Sequence, residues 1–177
     1  MPFEFEILNY LQHLRTPFGD VFMPFVSSLG NAGIIWILLA IVLLLIPKTR
    51  KAGWLVFIAL LFDVVYCNLI LKNVFHRTRP YDINTAVQLL VAKPIDFSFP
   101  SGHTAASFAA VTALFFTKNK KMWIPALVLA CLIAFSRMYL YVHFPTDILG
   151  GVAIGVLSGL CSFAVVRRYE MRQKKEK

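Results

Sequence analysis

Apolar residues recur at helical spacing from the start of the chain. In residues 3–14, Phe3, Ile7, Leu8, Leu11 and Leu14 share one face while Glu4, Glu6, Asn9 and Gln12 lie elsewhere. That pattern predicts a helix lying in the membrane interface. From Val21 to Pro47 there is no charged residue, but Gly30-Asn31-Ala32-Gly33 interrupts the run and divides it into helices over about 17–29 and 32–46. The first spans about 20 Å of helix rise against about 30 Å of hydrocarbon, so it crosses obliquely or incompletely. Further helices are predicted over about 53–75, 101–116, 122–140 and 145–166. Basic turns at 48–51 and 118–121 separate some of them; a mixed stretch at 76–99, with Pro80, Pro94 and one short amphipathic turn at 86–91, separates others. Residues 167–177 are polar and basic and read as a helix end fraying into water. The expected fold is all-α, a polytopic membrane bundle of five or six transmembrane helices plus the interfacial helix.

Composition agrees. Of 177 residues 58% are hydrophobic, and the mean hydropathy is +0.68, too apolar for a soluble domain. Residues 1–177 therefore read as one membrane-embedded domain. The net charge of +9 would suggest a nucleic-acid partner in a soluble protein. Here the basic residues flank apolar runs, so they speak of orientation and not of nucleic acid. The turns at 48–51 and 118–121, the tail and Arg15 hold thirteen of the eighteen Lys and Arg residues. The positive-inside rule puts that side, with the C-terminus, in the cytoplasm of a multi-pass plasma-membrane protein. Cys67, Cys131 and Cys161 are too spread for a disulfide framework or a zinc site. No basic region precedes an apolar run at the N-terminus, which does not resemble a cleaved signal peptide. The sequence sets no oligomeric state.

The opposite, extracytoplasmic side collects the polar chemistry. Ser136-Arg137 and His143-Phe144-Pro145-Thr146-Asp147 lie between two apolar runs, although each unpaired charge there costs several kcal/mol. Pro145 suits the first position of a helix, which sets His143 just before it and Asp147 about a turn on, in reach of one imidazole nitrogen. A histidine oriented by a carboxylate beside an arginine can serve an anionic substrate as nucleophile or base. Ser101 is a good N-cap, Gly102 admits a ligand close to the backbone, and the helix start there favours an anion. Lys72, Arg79 and Arg137 add three cations that repel one another unless a counter-charge such as phosphate lies among them.

Lys72-x6-Arg79-Pro80, Pro100-Ser101-Gly102-His103 and Ser136-Arg137-x5-His143-x3-Asp147 together resemble the three-part signature of the type 2 phosphatidic acid phosphatase superfamily. The resemblance covers about residues 53–165. It implies phosphate binding by Lys72, Arg79, Arg137, Ser101 and the Gly102 amide. It implies that His143 is the nucleophile forming a phosphohistidine, that Asp147 orients it, and that His103 is the general acid protonating the leaving oxygen. It implies no metal and no other cofactor, and the partner is a membrane lipid phosphate within the bilayer: undecaprenyl diphosphate, phosphatidylglycerol phosphate or phosphatidic acid. A phosphotransferase on the same scaffold, passing the phosphoryl group to a lipid or sugar, is the alternative. A non-enzymatic carrier would need polar residues through mid-membrane, where the sequence offers mainly Asp63, Asn68 and Asn31. Asp63 itself reads as the partner of a buried hydrogen bond with Asn31 or Asn68.

Overall fold

The computed structural model describes residues 2–175, and among these there is no strand. Helix α1 (Pro2–His13) lies against the bundle and leads to α2 (Pro17–Leu29), whose start is set by Pro17 and by Thr16 Oγ1 accepting from the Gly19 N–H at 3.1 Å. At Asn31–Gly33 a short 3-10 turn breaks the path, with Ala32 and Gly33 both at positive φ. The chain then runs on as α3 (Ile34–Leu45), bent by 45° from α2.

Next come α4 (Arg50–Asp63), a π-helical segment (Val64–Leu71) and α5 (Lys72–Phe75), which continue one another. After α6 (Pro80–Ile83) the chain is irregular to Ser101, where α7 (Gly102–Phe115) begins. Helices α8 (Lys120–Tyr139) and α9 (Pro145–Lys175) complete the bundle. Three helical stretches, Arg50–Ile83, Lys120–Tyr139 and Pro145–Lys175, are long and apolar enough to cross a membrane. The α2–α3 pair qualifies as a fourth if its two halves form one span, and α7 is a shorter apolar helix. Ile37, Leu38, Ile41, Leu61, Leu69, Val128 and Leu157 point outward, as lipid-facing residues do.

The tightest seam joins α7 to α9. Small residues recur every fourth position, Gly151, Gly155 and Gly159 on α9 against Ala105, Ala109 and Ala113 on α7. A Cβ at Gly155 would meet the Ala105 carbonyl oxygen at 2.5 Å and the Ala109 nitrogen at 2.8 Å, so the two backbones touch there. Polar bonds fasten the other helices to this pair: Trp36 Nε1 donates to Ser107 Oγ at 2.9 Å, and Ser162 Oγ donates to the Leu55 carbonyl at 2.6 Å. Because α4, α8 and α9 all lie beside α7, the end of α5, the start of α7, the end of α8 and the start of α9 meet at one end of the bundle.

Four expectations change. Glu4, which periodicity puts off the apolar face of α1, is buried together with Leu8, while Phe3 and Leu14 are exposed. The 167–175 tail remains helical, tied by an ion pair of 2.6 Å between Lys51 and Glu170; residues 176–177 lie outside the described residues. Residues 86–91 form no helix, and the short helix sits earlier, at Pro80–Ile83. Asp63 is buried with Oδ1 unpartnered among the described residues; it bonds neither Asn31, which turns to His103, nor Asn68.

Gly155→Ala tests the seam. A gain of about 1 kcal/mol in helix propensity is outweighed by contact with unyielding backbone, giving a net loss of about 1 to 3 kcal/mol. A lower thermal midpoint in detergent checks this; an unchanged or raised one contradicts the close packing.

Candidate active site

A cavity of about 390 Å³ opens at the end of the bundle where these helix termini meet. Lys72, Arg79, Gly102, His103, Arg137 and His143 all line it, so residues from three separated segments converge. Lys72, Arg79 and Arg137 are each buried, at 7%, 3% and 5% exposure, an expensive arrangement for three like charges without anions among them.

Each cation is held differently. Lys72 leaves the π-helical segment to bond Asp96 Oδ2, and its Nζ lies 3.6 Å from where a Cβ on Gly102 would stand. Arg79 spans the site: Nη2 donates to Asp96 Oδ1 at 2.5 Å, Nε to the Asp96 carbonyl at 2.8 Å, and Nη1 to the Val142 carbonyl at 2.7 Å. Arg137 bonds Ser27 Oγ on α2, while its Nε is buried with no partner among the described residues. Burial raises the Asp96 carboxyl, but Lys72 and Arg79 outweigh that and bring it down to about 2. Asp96 thus holds, as a carboxylate, two of the three cations expected to take phosphate.

His143 is 1% exposed, in the turn between α8 and α9. Arg79 Nη1 lies 3.2 Å from its Nε2. A guanidinium can only donate, so Nε2 is the acceptor and the ring proton sits on Nδ1, which faces Asp147 Oδ2 at 3.5 Å. That distance is longer than a hydrogen bond, and Nδ1 otherwise has no partner among the described residues. Burial pushes the imidazole down to about 3; the contact with Asp147 opposes the shift, and Arg79 and Arg137 reinforce it. His143 is therefore neutral, with a lone pair on Nε2 beside the cavity.

Asp147, fully buried in the first turn of α9, accepts from the Phe144 N–H at 2.8 Å and from Ser98 Oγ at 2.5 Å on Oδ2. On Oδ1 it accepts from Arg77 Nη1 at 2.5 Å. His103, in the first turn of α7, donates from Nε2 to Asn31 Oδ1 at 2.9 Å, and Gly30 leaves room for its ring. Ser101 caps α7: its Oγ accepts from the Thr104 hydroxyl at 3.0 Å, its N–H donates to the Asp147 carbonyl at 3.1 Å, and its side chain is fully buried. Its hydroxyl thus serves the helix start, and the neighbouring Gly102 is what faces the cavity.

The family model described as PAP2 superfamily matches residues 51–171, a span that contains all three motif segments. The chain belongs to the PAP2 superfamily. A relative from Sulfolobus acidocaldarius, named undecaprenyl-diphosphatase, is 34% identical over 85% of this chain and 71% of its own length. Among solved structures, that of Aquifex aeolicus LpxE is similar with a TM-score of 0.77 at 30% identity, covering 90% of this chain and 94% of that one. A PAP2-type phosphatidylglycerolphosphate phosphatase from Bacillus subtilis gives a TM-score of 0.73 at 29% identity over 96% and 85%.

Several residues at this PAP2 site lie outside the signature. Asp96 and Ser98 sit in the irregular stretch, Asn31 and Ser27 near the α2–α3 break, and Arg77 between the two signature cations. The one sequence signal that points to any of them is Arg77's place inside the first motif.

Since His143 has a folded pKa below its ordinary 6.5, its contribution to stability is full above pH 6.5 and is lost as pH falls toward 3. At pH 4.5 the penalty relative to a non-titrating side chain is about 3 kcal/mol. His143→Gln should therefore flatten the fall in thermal midpoint between pH 6.5 and 4.5; parallel profiles would contradict a buried neutral imidazole.

Proposed function

We propose that this membrane phosphatase hydrolyses a lipid phosphate at the extracytoplasmic face, through a phosphohistidine on His143 and without a metal ion. The observation that carries the reading is the placement of His143 Nε2, unprotonated and accepting from Arg79 Nη1 at 3.2 Å, at a cavity that Lys72, Arg79, Arg137, Gly102 and His103 also line, so that Arg79 turns from the imidazole to the phosphate when substrate enters. Asp96 lies on Lys72 and Arg79 as a phosphate's oxygens would, so substrate displaces a carboxylate it resembles in charge. Arg137 Nε, without a partner among the described residues, is a donor for the same anion.

His143 Nε2 attacks phosphorus in line as the bond to the leaving oxygen breaks. Its Nδ1 proton stays on the ring, and Asp147 stabilises the positive charge that develops. Lys72, Arg79, Arg137 and the start of α7 meet the charge on the non-bridging oxygens; such preorganised electrostatics are usually the largest catalytic contribution. His103, whose Nε2–H is bonded to Asn31, takes up a second proton on Nδ1 as the anion binds and gives it to the leaving oxygen. The neutral ring then takes a proton from the water that attacks phosphorus as the phosphorus–nitrogen bond breaks, its electron pair returning to His143, and phosphate is released. These cations supply the charge neutralisation that Mg²⁺ gives other phosphoryl-transfer enzymes.

A lipid substrate is supported by a second cavity of about 420 Å³, which shares Lys72, Asp96, Gly102 and His103 with the first. Its other walls include Ile37, Leu60, Val64 and Ala106 on the side of His103, with Asp63 and Asn68 beside them, so an apolar chain has walls to lie against but not an all-apolar slot. Helix direction supports the extracytoplasmic placement: α4 and α8 begin, and α9 ends, in basic residues at the end of the bundle away from the cavity. Undecaprenyl diphosphate ranks first among substrates because the 34%-identical relative carries that activity in its name.

Purified protein in detergent should release phosphate from undecaprenyl diphosphate faster than from phosphatidylglycerol phosphate or phosphatidic acid, and EDTA should not slow it. His143→Ala should lower kcat by at least about 10³-fold, and Arg137→Lys by about 10²-fold, since a point charge replaces a planar fork. Transfer of the phosphoryl group to an acceptor in place of free phosphate would select the phosphotransferase. Loss of release with EDTA would overturn the metal-independent mechanism.

A further inference from the structure

One buried network touches the proposed machinery from behind and belongs to none of its assigned parts. Arg77 is the arginine of the first motif that does not face the cavity. Its guanidinium instead points toward α9 and α1. Nη1 donates to Asp147 Oδ1 at 2.5 Å and to Thr146 Oγ1 at 2.6 Å, and Nη2 donates to Glu4 Oε2 at 2.7 Å. The plane of the side chain lies over the Phe144 ring, 4.3 Å from its centroid. Glu4 closes the circuit by accepting from Thr146 Oγ1 on Oε1 at 2.5 Å. Side chains of Arg77 and Glu4 are only 16% and 11% exposed, so this is not a solvated surface pair.

Asp147 has two oxygens with separate partners. Oδ2 faces His143 and is fixed by Ser98 and the Phe144 N–H, while Arg77 and Arg77 alone engages Oδ1 among the described residues. A partial rotation of the carboxylate about its χ2 would draw Oδ1 off Arg77 and, with it, Oδ2 off Ser98 and the Phe144 N–H. Glu4 in turn fixes the guanidinium, and it comes from α1, outside the stretch that matches the family model.

We infer that Arg77 and Glu4 are positioning residues for the nucleophile: Glu4 holds Arg77, and Arg77 holds the Asp147 carboxylate in the orientation that aligns His143. This rests on His143 being the nucleophile and extends that reading to a helix at the far end of the sequence. Helix α1 is on this account a part of the active site that never touches substrate. Misalignment of a reacting group by about 1 Å can cost about 10²-fold. The loss falls on kcat and spares KM, because the phosphate ligands Lys72, Arg79 and Arg137 are not held by this network.

The test is steady-state release of phosphate from undecaprenyl diphosphate by the full chain in detergent, with Arg77→Met, Arg77→Lys, Glu4→Gln, Glu4→Gln/Arg77→Met, His143→Ala and the remote Lys51→Ala. Methionine keeps the bulk over Phe144 without charge or hydrogen bonds, so it separates packing from positioning. Expected are a kcat lowered about 30- to 100-fold in Arg77→Met, recovery to within about 10-fold of wild type in Arg77→Lys, and a KM within about 3-fold throughout. Glu4→Gln should lose about 3- to 10-fold, and the double variant should be no worse than Arg77→Met within about 2-fold, because one acts through the other. Lys51→Ala should match wild type. Should Arg77→Met fail to fold, Glu4→Gln and Arg77→Lys carry the same kcat-against-KM test. Wild-type kcat in Arg77→Met, equal losses in the methionine and lysine variants, or multiplicative losses in the double variant overturn the inference. His143→Ala separates the two claims: activity in that variant, or none in wild type, overturns the functional reading with the inference, whereas a dead His143→Ala beside wild-type kcat in Arg77→Met overturns the inference alone.

Discussion

Three buried cations within one small cavity are the constraint to which the rest of this structure answers. Lys72, Arg79 and Arg137 stand where a bilayer protein would ordinarily place apolar residues, and each would be too costly there without a counter-charge. Asp96 neutralises two of them, Lys72 and Arg79, and it is this carboxylate that the proposed phosphate substrate would displace. Among the described residues Arg137 bonds Ser27 alone, its Nε has no partner, and no carboxylate pairs with it. Burial keeps His143 neutral and the charges of Arg79 and Arg137 reinforce it, which is the state a nucleophilic imidazole requires. The cations proposed to bind phosphate thus also help to set the protonation state of the group proposed to attack it.

Holding these groups together is a packing problem, and small residues solve it. Glycines on α9 let α7 approach until backbone meets backbone, which draws Ser101 and Asp147 into direct main-chain contact at 3.1 Å. The start of α7 and the start of α9 are therefore rigidly related, and with them His103, Gly102 and the His143–Asp147 pair. The π-helical segment before Lys72 lies where a functional residue leaves its helix, a position such segments often take.

Much of this is legible in the sequence because charges in an apolar chain are conspicuous. Lys72, Arg79, His103, Arg137, His143 and Asp147 are readable from spacing and motif, and the helices that bear them from unbroken apolar runs. The network behind them is less so. Periodicity places Glu4 on the polar side of an interfacial helix, since a 3.6-residue pattern does not distinguish a face turned to water from one turned to a buried arginine. Asp96 lies in an irregular stretch with no period to read. Asn31 sits at a chain break, where its pairing with His103 depends on a bend that only tertiary packing sets. The π-helical segment has no residue signal that we can identify.

The central claim is that His143 Nε2 becomes covalently phosphorylated. Its most direct measurement is acid-free quenching of enzyme turning over undecaprenyl diphosphate labelled in the released phosphate, followed by peptide mapping of the label. The account predicts an acid-labile, base-stable phosphoryl group on His143, absent from His143→Ala. Label on another residue, or steady turnover with no labelled protein at any quench time, would contradict it.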